Sequence, residues 1–124
     1  MSVKRVRQAV IPAAGMGTRF LPATKAVPKA MLPIVDKPAI QYIVEEVAQS
    51  GLESVVFVTS QGKGEIENHF NHNIKLEQRL RELGEENLLE LVRGISRLVA
   101  FSVVSQRDSL GLGHAILITR KLLA

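Results

Sequence analysis

Cysteine is absent from the 124-residue sequence, which excludes a disulfide framework and a thiolate metal site alike. Tryptophan is absent too, and aromatic residues make up only 4% of the chain, too few for the stacking platforms that hold single-stranded nucleic acids. No apolar run approaches the ~18 residues that a membrane span needs. The short apolar run behind the basic start MSVKRVR is cut by Pro12 and the glycines after it. No secretory leader is therefore expected, and a reducing cytoplasm is the expected setting. Acids are scarce in one region in particular: the first 37 residues carry Lys4, Arg5, Arg7, Arg19, Lys25, Lys29 and Lys37 against Asp36 alone. Such an excess points to an anionic partner. With so few aromatics, the partner expected is a phosphate-bearing small molecule, not nucleic acid.

What is present is the composition of one small globular domain over residues 1–124, with 46% hydrophobic and 23% charged residues and a net charge of +4. Residues 8–13 read as a buried strand. Pro38 suits a helix start, where its missing N–H is no loss, and Ile40, Ile43, Val44 and Val47 follow at helical spacing with Gly51 as C-cap. A helix is expected over 38–50. SVVFVTS, residues 54–60, is β-branched and of strand length. A short helix is expected over 65–70, then helical structure over 74–93 with a break at Gly84. There Leu76, Leu80, Leu83, Leu88, Leu91, Val92 and Ile95 form a stripe expected to face the core, and Glu77 is expected to pair with Arg81 at i,i+4. A third strand is expected over 98–104 and a last helix over 111–123. This order is that of an α/β domain with a mainly parallel sheet flanked by helices. Ligands on such sheets bind beyond the carboxyl ends of the strands, where the Gly15 loop and residues 106–113 both lie.

The loop AAGMGTRFLPATKAVPKAMLP, residues 13–33, does not match the common phosphate-binding motifs. A dinucleotide fingerprint would want a third glycine where Phe20 stands and an acid where Thr59 and Ser60 stand. A P-loop would want Gly-Lys-Ser/Thr leading into a helix, but the sequence reads Gly17-Thr18-Arg19, and Pro22, Pro28 and Pro33 forbid a long helix at once. What remains is a Gly-x-Gly turn whose bare backbone at Gly15 and Gly17 can approach phosphate oxygens. Arg19 and Lys29 on the same proline-stiffened segment can reach a triphosphate, the first as a planar fork and the second as a point charge. Taken alone, Gly-x-Gly is equally a tight turn and each cation a solvated surface charge.

The stretch VIPAAGMGTRFLPATKAVPKAMLPIVDKPAIQYIVEE, residues 10–46, resembles the N-terminal signature of bacterial UTP–glucose-1-phosphate uridylyltransferases, of the sugar-nucleotide pyrophosphorylase family. IENHF (66–70) and GLGHA (111–115) resemble the same family at similar spacing. The resemblance implies a Rossmann-like nucleotidyltransferase fold, truncated here, since such proteins run to more than twice this length. It implies transfer of the uridylyl group of UTP to glucose 1-phosphate with release of pyrophosphate, and Mg²⁺ as cofactor. By the family pattern the backbone of Ala13, Ala14, Gly15, Met16, Gly17 and Thr18 would hold the nucleotide. Arg19 would lie on the β- and γ-phosphates, and Lys29 would neutralise charge at the reacting phosphate. Gln106 would hydrogen-bond the uracil edge, and Gly111 would leave room for the base. Ala30 departs from the family's usual Glu. The metal-binding Asp and the sugar-binding residues of the family fall on strands with no counterpart here, and neither Asp36 nor Asp108 takes the metal position. A non-catalytic UTP-binding or assembly module is therefore the alternative expectation.

Other residues are given plainer expectations. His69 and His72 lack the further ligands of a metal site, and His69 is expected to help end a short helix. His114 is expected to pack. Lys25 is not expected on phosphate, Lys4, Arg5 and Arg7 are expected to form a solvated face, and Gly62-Lys63-Gly64 a loop. Family members are oligomers, so a homo-oligomer is expected.

Overall fold

The computed structural model describes residues 5–15, 17–60, 64–106 and 111–123. Lys4, Met16, Gly62, Lys63 and Asp108 therefore lie outside the described residues. The first strand, β1 (Gln8–Ala13), is followed by two single-turn 3₁₀ helices, Thr18–Phe20 and Lys29–Met31. Next comes a short antiparallel ribbon of β2 (Pro33–Ile34) and β3 (Lys37–Pro38). The prolines that exclude a long helix here thus leave only single turns and a two-residue pairing. Helix α1 (Ala39–Gln49) starts directly after Pro38, which has φ −58°, and ends at Gly51, whose N–H reaches the Ala48 carbonyl while that of Leu52 reaches Val47. That pair of bonds is a Schellman cap.

Strand β4 (Ser54–Ser60) lies between β1 and β5 (Ala100–Gln106), and both pairings are parallel. Its central place explains why Val55, Val56, Phe57 and Val58 are all buried, as expected of a strand covered on both faces. Side chains alternate across a sheet. On one face Ile11, Val55 and Phe57 join Ile40 and Val44 of α1 in the core. Ile66 and Phe70 of α2 (Glu65–Phe70) complete it, with the Phe57 and Phe70 rings stacked at 5.3 Å. Toward the other face lies α5 (Leu112–Leu117), which contacts β1 and buries Ala115, with Thr119 buried just beyond its end.

Between α2 and β5 stand α3 (Ile74–Glu82) and α4 (Glu86–Ser96), packed on each other. They are parted at Gly84, which adopts φ +72°, a left-handed conformation that costs glycine least.

Five expectations need correction. β1 is an edge strand of the described sheet with only Ile11 buried. The third strand begins at Ala100, because Leu98 and Val99 are spent packing against the core before the ladder starts. The last helix stops at Leu117 and continues as turns. The leucine stripe meets the core only at its end, where Ile95 packs against it: Leu76, Leu83, Leu88 and Leu91 are exposed, while Leu89 is the buried residue of α4. Glu77 turns inward instead. Its carboxylate accepts from Arg93 Nε at 3.1 Å and His72 Nδ1 at 3.3 Å, so no Glu77–Arg81 pair forms along α3. A buried acid pairs with the neighbouring helix in preference to its own exposed face.

Candidate functional site

The parallel register sets Ala13, Thr59 and Ser105 in one row across the three strand ends, and the loops beyond that row enclose the cavities. The first loop is built around Gly17. It takes φ +66°, and a Cβ there would stand 2.9 Å from Thr24 Cγ2 and 3.2 Å from Lys29 Cβ. Glycine is thus required at Gly17 for both conformation and space. Its carbonyl accepts the Thr24 hydroxyl at 2.6 Å and the Phe20 N–H at 3.0 Å. The loop is thereby doubled back so that Lys29 lies against its base. Lys29 Nζ stands 5.1 Å from the Phe20 ring centroid, a cation–π distance.

Gly15 is different. A Cβ added to it would meet nothing within 4 Å, and it is not among the residues with positive φ. Nothing in the described fold demands glycine there. Yet Gly15 lines three cavities. The first, of about 390 Å³, is lined by Lys29 and Ala30 together with Ala13, Ile40 and Ile43. The second, of about 510 Å³, is lined by Thr18, Thr24, Lys25, Pro28, Ser60 and Glu65. The third, of about 260 Å³, lies on the α5 side and is lined by Pro12, Ala14, Gln106, Gly111, Leu112 and Ala115. One bare backbone position therefore joins a space bordered by Lys29 to a space bordered by the buried Gln106.

That amide belongs to Gln106, only 6% exposed at the end of β5. Its Nε2 donates to Nδ1 of His114 at 3.0 Å and makes a longer 3.5 Å contact with the Gly111 carbonyl. An Nδ1 that accepts places the imidazole proton on Nε2.

Ala13, Gly15 and Lys29 are brought together in one cavity, Gly15 and Thr18 in another, and Ala14, Gly15, Gln106 and Gly111 in the third. Arg19 is exposed and lines none of these three, nor does Gly17. Met16 is outside the described residues. Sequence reading missed Thr24, Ser60 and Glu65, since only the doubling-back of the loop and the start of α2 bring them to Gly15. It also gave Lys25 no place at the site, although Lys25 lines the second cavity. His69 and His72 serve separate partners, Gln41 and Glu77. Among the described residues no group of three or more His, Asp or Glu could hold a metal ion, and no helix is long and apolar enough to cross a membrane.

The sequence and the fold both have known counterparts. The model of the nucleotidyl transferase family matches residues 8–124. The UTP–glucose-1-phosphate uridylyltransferase YngB of Bacillus subtilis is 57% identical over 92% of this chain, a match covering 38% of that protein. A UTP-bound UGPase from Acinetobacter baumannii has a TM-score of 0.90 at 42% identity, covering 95% of this chain and 42% of its own. A UDP-glucose pyrophosphorylase complexed with UDP-glucose has a TM-score of 0.79 at 43% identity, over 97% of this chain and 42% of its own. The chain thus spans about two-fifths of the length of the relatives it matches.

Proposed function

Because the chain belongs to the nucleotidyl transferase family, we propose that it carries the UTP-binding half of a uridylyl transfer from UTP to glucose 1-phosphate. The products of that transfer are UDP-glucose and pyrophosphate. The observation that carries this reading is Gly15, which needs no bareness for the fold and yet borders both the Lys29 cavity and the Gln106 cavity. A nucleotide laid across it sets its phosphates toward Lys29 and its base toward Gln106.

In the reaction a phosphate oxygen of the sugar phosphate bonds to the α-phosphorus of UTP as the bond to the bridging oxygen breaks, and pyrophosphate leaves. The protein's task is positioning and charge stabilisation. Main-chain N–H groups from Ala13 to Thr18 hold phosphate oxygens, Lys29 opposes the charge growing at the reacting phosphate, and Arg19 reaches over the β- and γ-phosphates as they depart. Gln106 reads the uracil edge and Gly111 leaves space for it.

Among the described residues no group of three or more acids or histidines converges that could hold a metal ion by itself, and no step here runs through one. That same observation favours a second reading, a UTP-binding or assembly module without chemistry.

Gly15→Ala tests the site. The variant is expected to melt within a degree or two of the parent, because the added methyl meets no protein atom, and to lose UTP affinity by about tenfold or more, as a lost close contact would give. Unchanged UTP affinity sinks the proposal. Assaying the chain for UDP-glucose formation separates the two readings: turnover supports the transferase, and uridine-selective binding without turnover supports the module.

A further inference from the structure

We propose that Phe20 is a positioning residue for Lys29, its ring face holding the ammonium in place for a nucleotide phosphate. The inference rests on the UTP reading above and deepens it.

A lysine ammonium is a point charge on a flexible stem. Left in water it samples many positions, and fixing one of them for a ligand costs rotamer freedom. Lys29 is held at both ends instead. Its backbone opens the second 3₁₀ turn, where its carbonyl accepts the Leu32 N–H at 3.1 Å. Its Cβ lies 3.2 Å from where a Cβ on Gly17 would stand. Its Nζ stands 5.1 Å from the Phe20 ring centroid, inside the ~6 Å range of cation–π attraction. The backbone carrying that ring is itself tied down. The Phe20 N–H donates to the Gly17 carbonyl at 3.0 Å, and the Phe20 carbonyl accepts the Thr24 N–H at 3.4 Å. Gly17 thus seats both the base of the lysine and the turn that carries the ring.

The ring is the ammonium's one directional contact among the described residues, where Lys29 Nζ enters no ion pair and no hydrogen bond. A carboxylate in the ring's place would hold the charge more tightly and would compete with a phosphate for it. A ring face attracts the ammonium through its quadrupole and neutralises none of its charge. Both faces of a phenyl ring are alike, so the contact survives a ring flip. Lys29 is the only charged side chain that lines the 390 Å³ cavity among the described residues. Phe20 lines none of the three cavities that meet at Gly15. It therefore holds the cation from outside and takes no space from a ligand.

The test is UTP affinity, measured by calorimetric titration of the full chain, with a thermal melt for each variant. Phe20→Leu and Phe20→Met keep an apolar side chain and lose the ring, and each is expected to weaken UTP binding about two- to fivefold, the worth of one exposed cation–π contact. Phe20→Tyr keeps a ring face and binds as the parent does. Both non-aromatic variants are measured so that one misfolded protein does not decide the matter; Phe20 is half exposed, and melts close to the parent's are expected. The readout that a merely structural ring would not give is the double-mutant cycle with Lys29→Met. In that background Phe20→Leu is expected to cost no further affinity, because the ring acts through the ammonium. An equal loss with and without Lys29, or UTP binding by Phe20→Leu and Phe20→Met as tight as the parent's, overturns the proposal while leaving the UTP reading in place. A parent that does not bind UTP, or a Lys29→Met variant that binds it as the parent does, overturns the proposed role of Lys29 as well.

Discussion

The hydroxyl of Thr24 donates to the Gly17 carbonyl at 2.6 Å, and its methyl lies where a side chain on Gly17 would have to go. Seven residues apart, the two close the loop that carries the proposed phosphate contacts. The Thr24→Val variant keeps the methyl packing and loses the hydrogen bond. It is expected to lower stability by about 1 kcal/mol, the usual net worth of such a bond, and to weaken UTP binding several-fold by loosening the loop. Thr24→Ser keeps the bond and binds nearly as the parent. Equal binding by Thr24→Val and parent, read by titration calorimetry, would show that the closure has no part in the site.

The fold was largely legible because its signals are local. The β-branched run at 54–60 and the caps at Pro38 and Gly51 place β4 and α1 within a residue of where they stand. The same local signals misplace the start of β5, since Leu98 and Val99 are as apolar as strand residues but serve the core from outside the ladder. The helical hairpin was misread for a different reason. Its stripe of leucines satisfies the helical period, yet no layer lies over Leu76, Leu83, Leu88 and Leu91 among the described residues, and periodicity cannot report what a face is packed against. Within the site, the glycines and Lys29 stood out by their motif. Thr24, Ser60 and the His114–Gln106 contact did not, because each arises only when separate elements meet.

Glu77 joins α3 to α4 through Arg93 and to the α2–α3 turn through His72. Burial pushes its carboxyl up, but the hydrogen bonds from Arg93 and His72 outweigh that and hold it below the ordinary value of 4.5. Removing one partner from such a pair leaves a charge that was placed for another, and costs more than removing both. Arg93→Met is therefore expected to lower the melting temperature at neutral pH by several degrees, and Arg93→Met with Glu77→Gln to recover part of that loss. A double variant less stable than Arg93→Met alone would contradict a paired, inward-facing carboxylate.

Acid is expected to weaken the fold in two stages, and the first belongs to His69. Its Nε2–H donates to the Gln41 carbonyl oxygen at 2.7 Å, and its ring meets the Phe70 ring edge-on at 5.0 Å. Burial among these uncharged neighbours lowers its pKa below the ordinary 6.5. The unfolded chain, with His69 at its ordinary value, then binds more protons than the folded one as pH falls below about 6.5, so stability is complete above that pH and declines beneath it. Glu77 adds a second decline below about 4.5, where its folded form resists protonation and its unfolded form does not. Gln41 also donates to Glu45, which pairs with Lys37 at 2.9 Å, so replacing His69 leaves the rest of that chain of contacts intact. His69→Gln is accordingly expected to flatten the fall in melting temperature that sets in below about pH 6.5 while leaving the further loss below about pH 4.5. A His69→Gln variant with the parent's full slope just below about pH 6.5 would remove His69 as its cause.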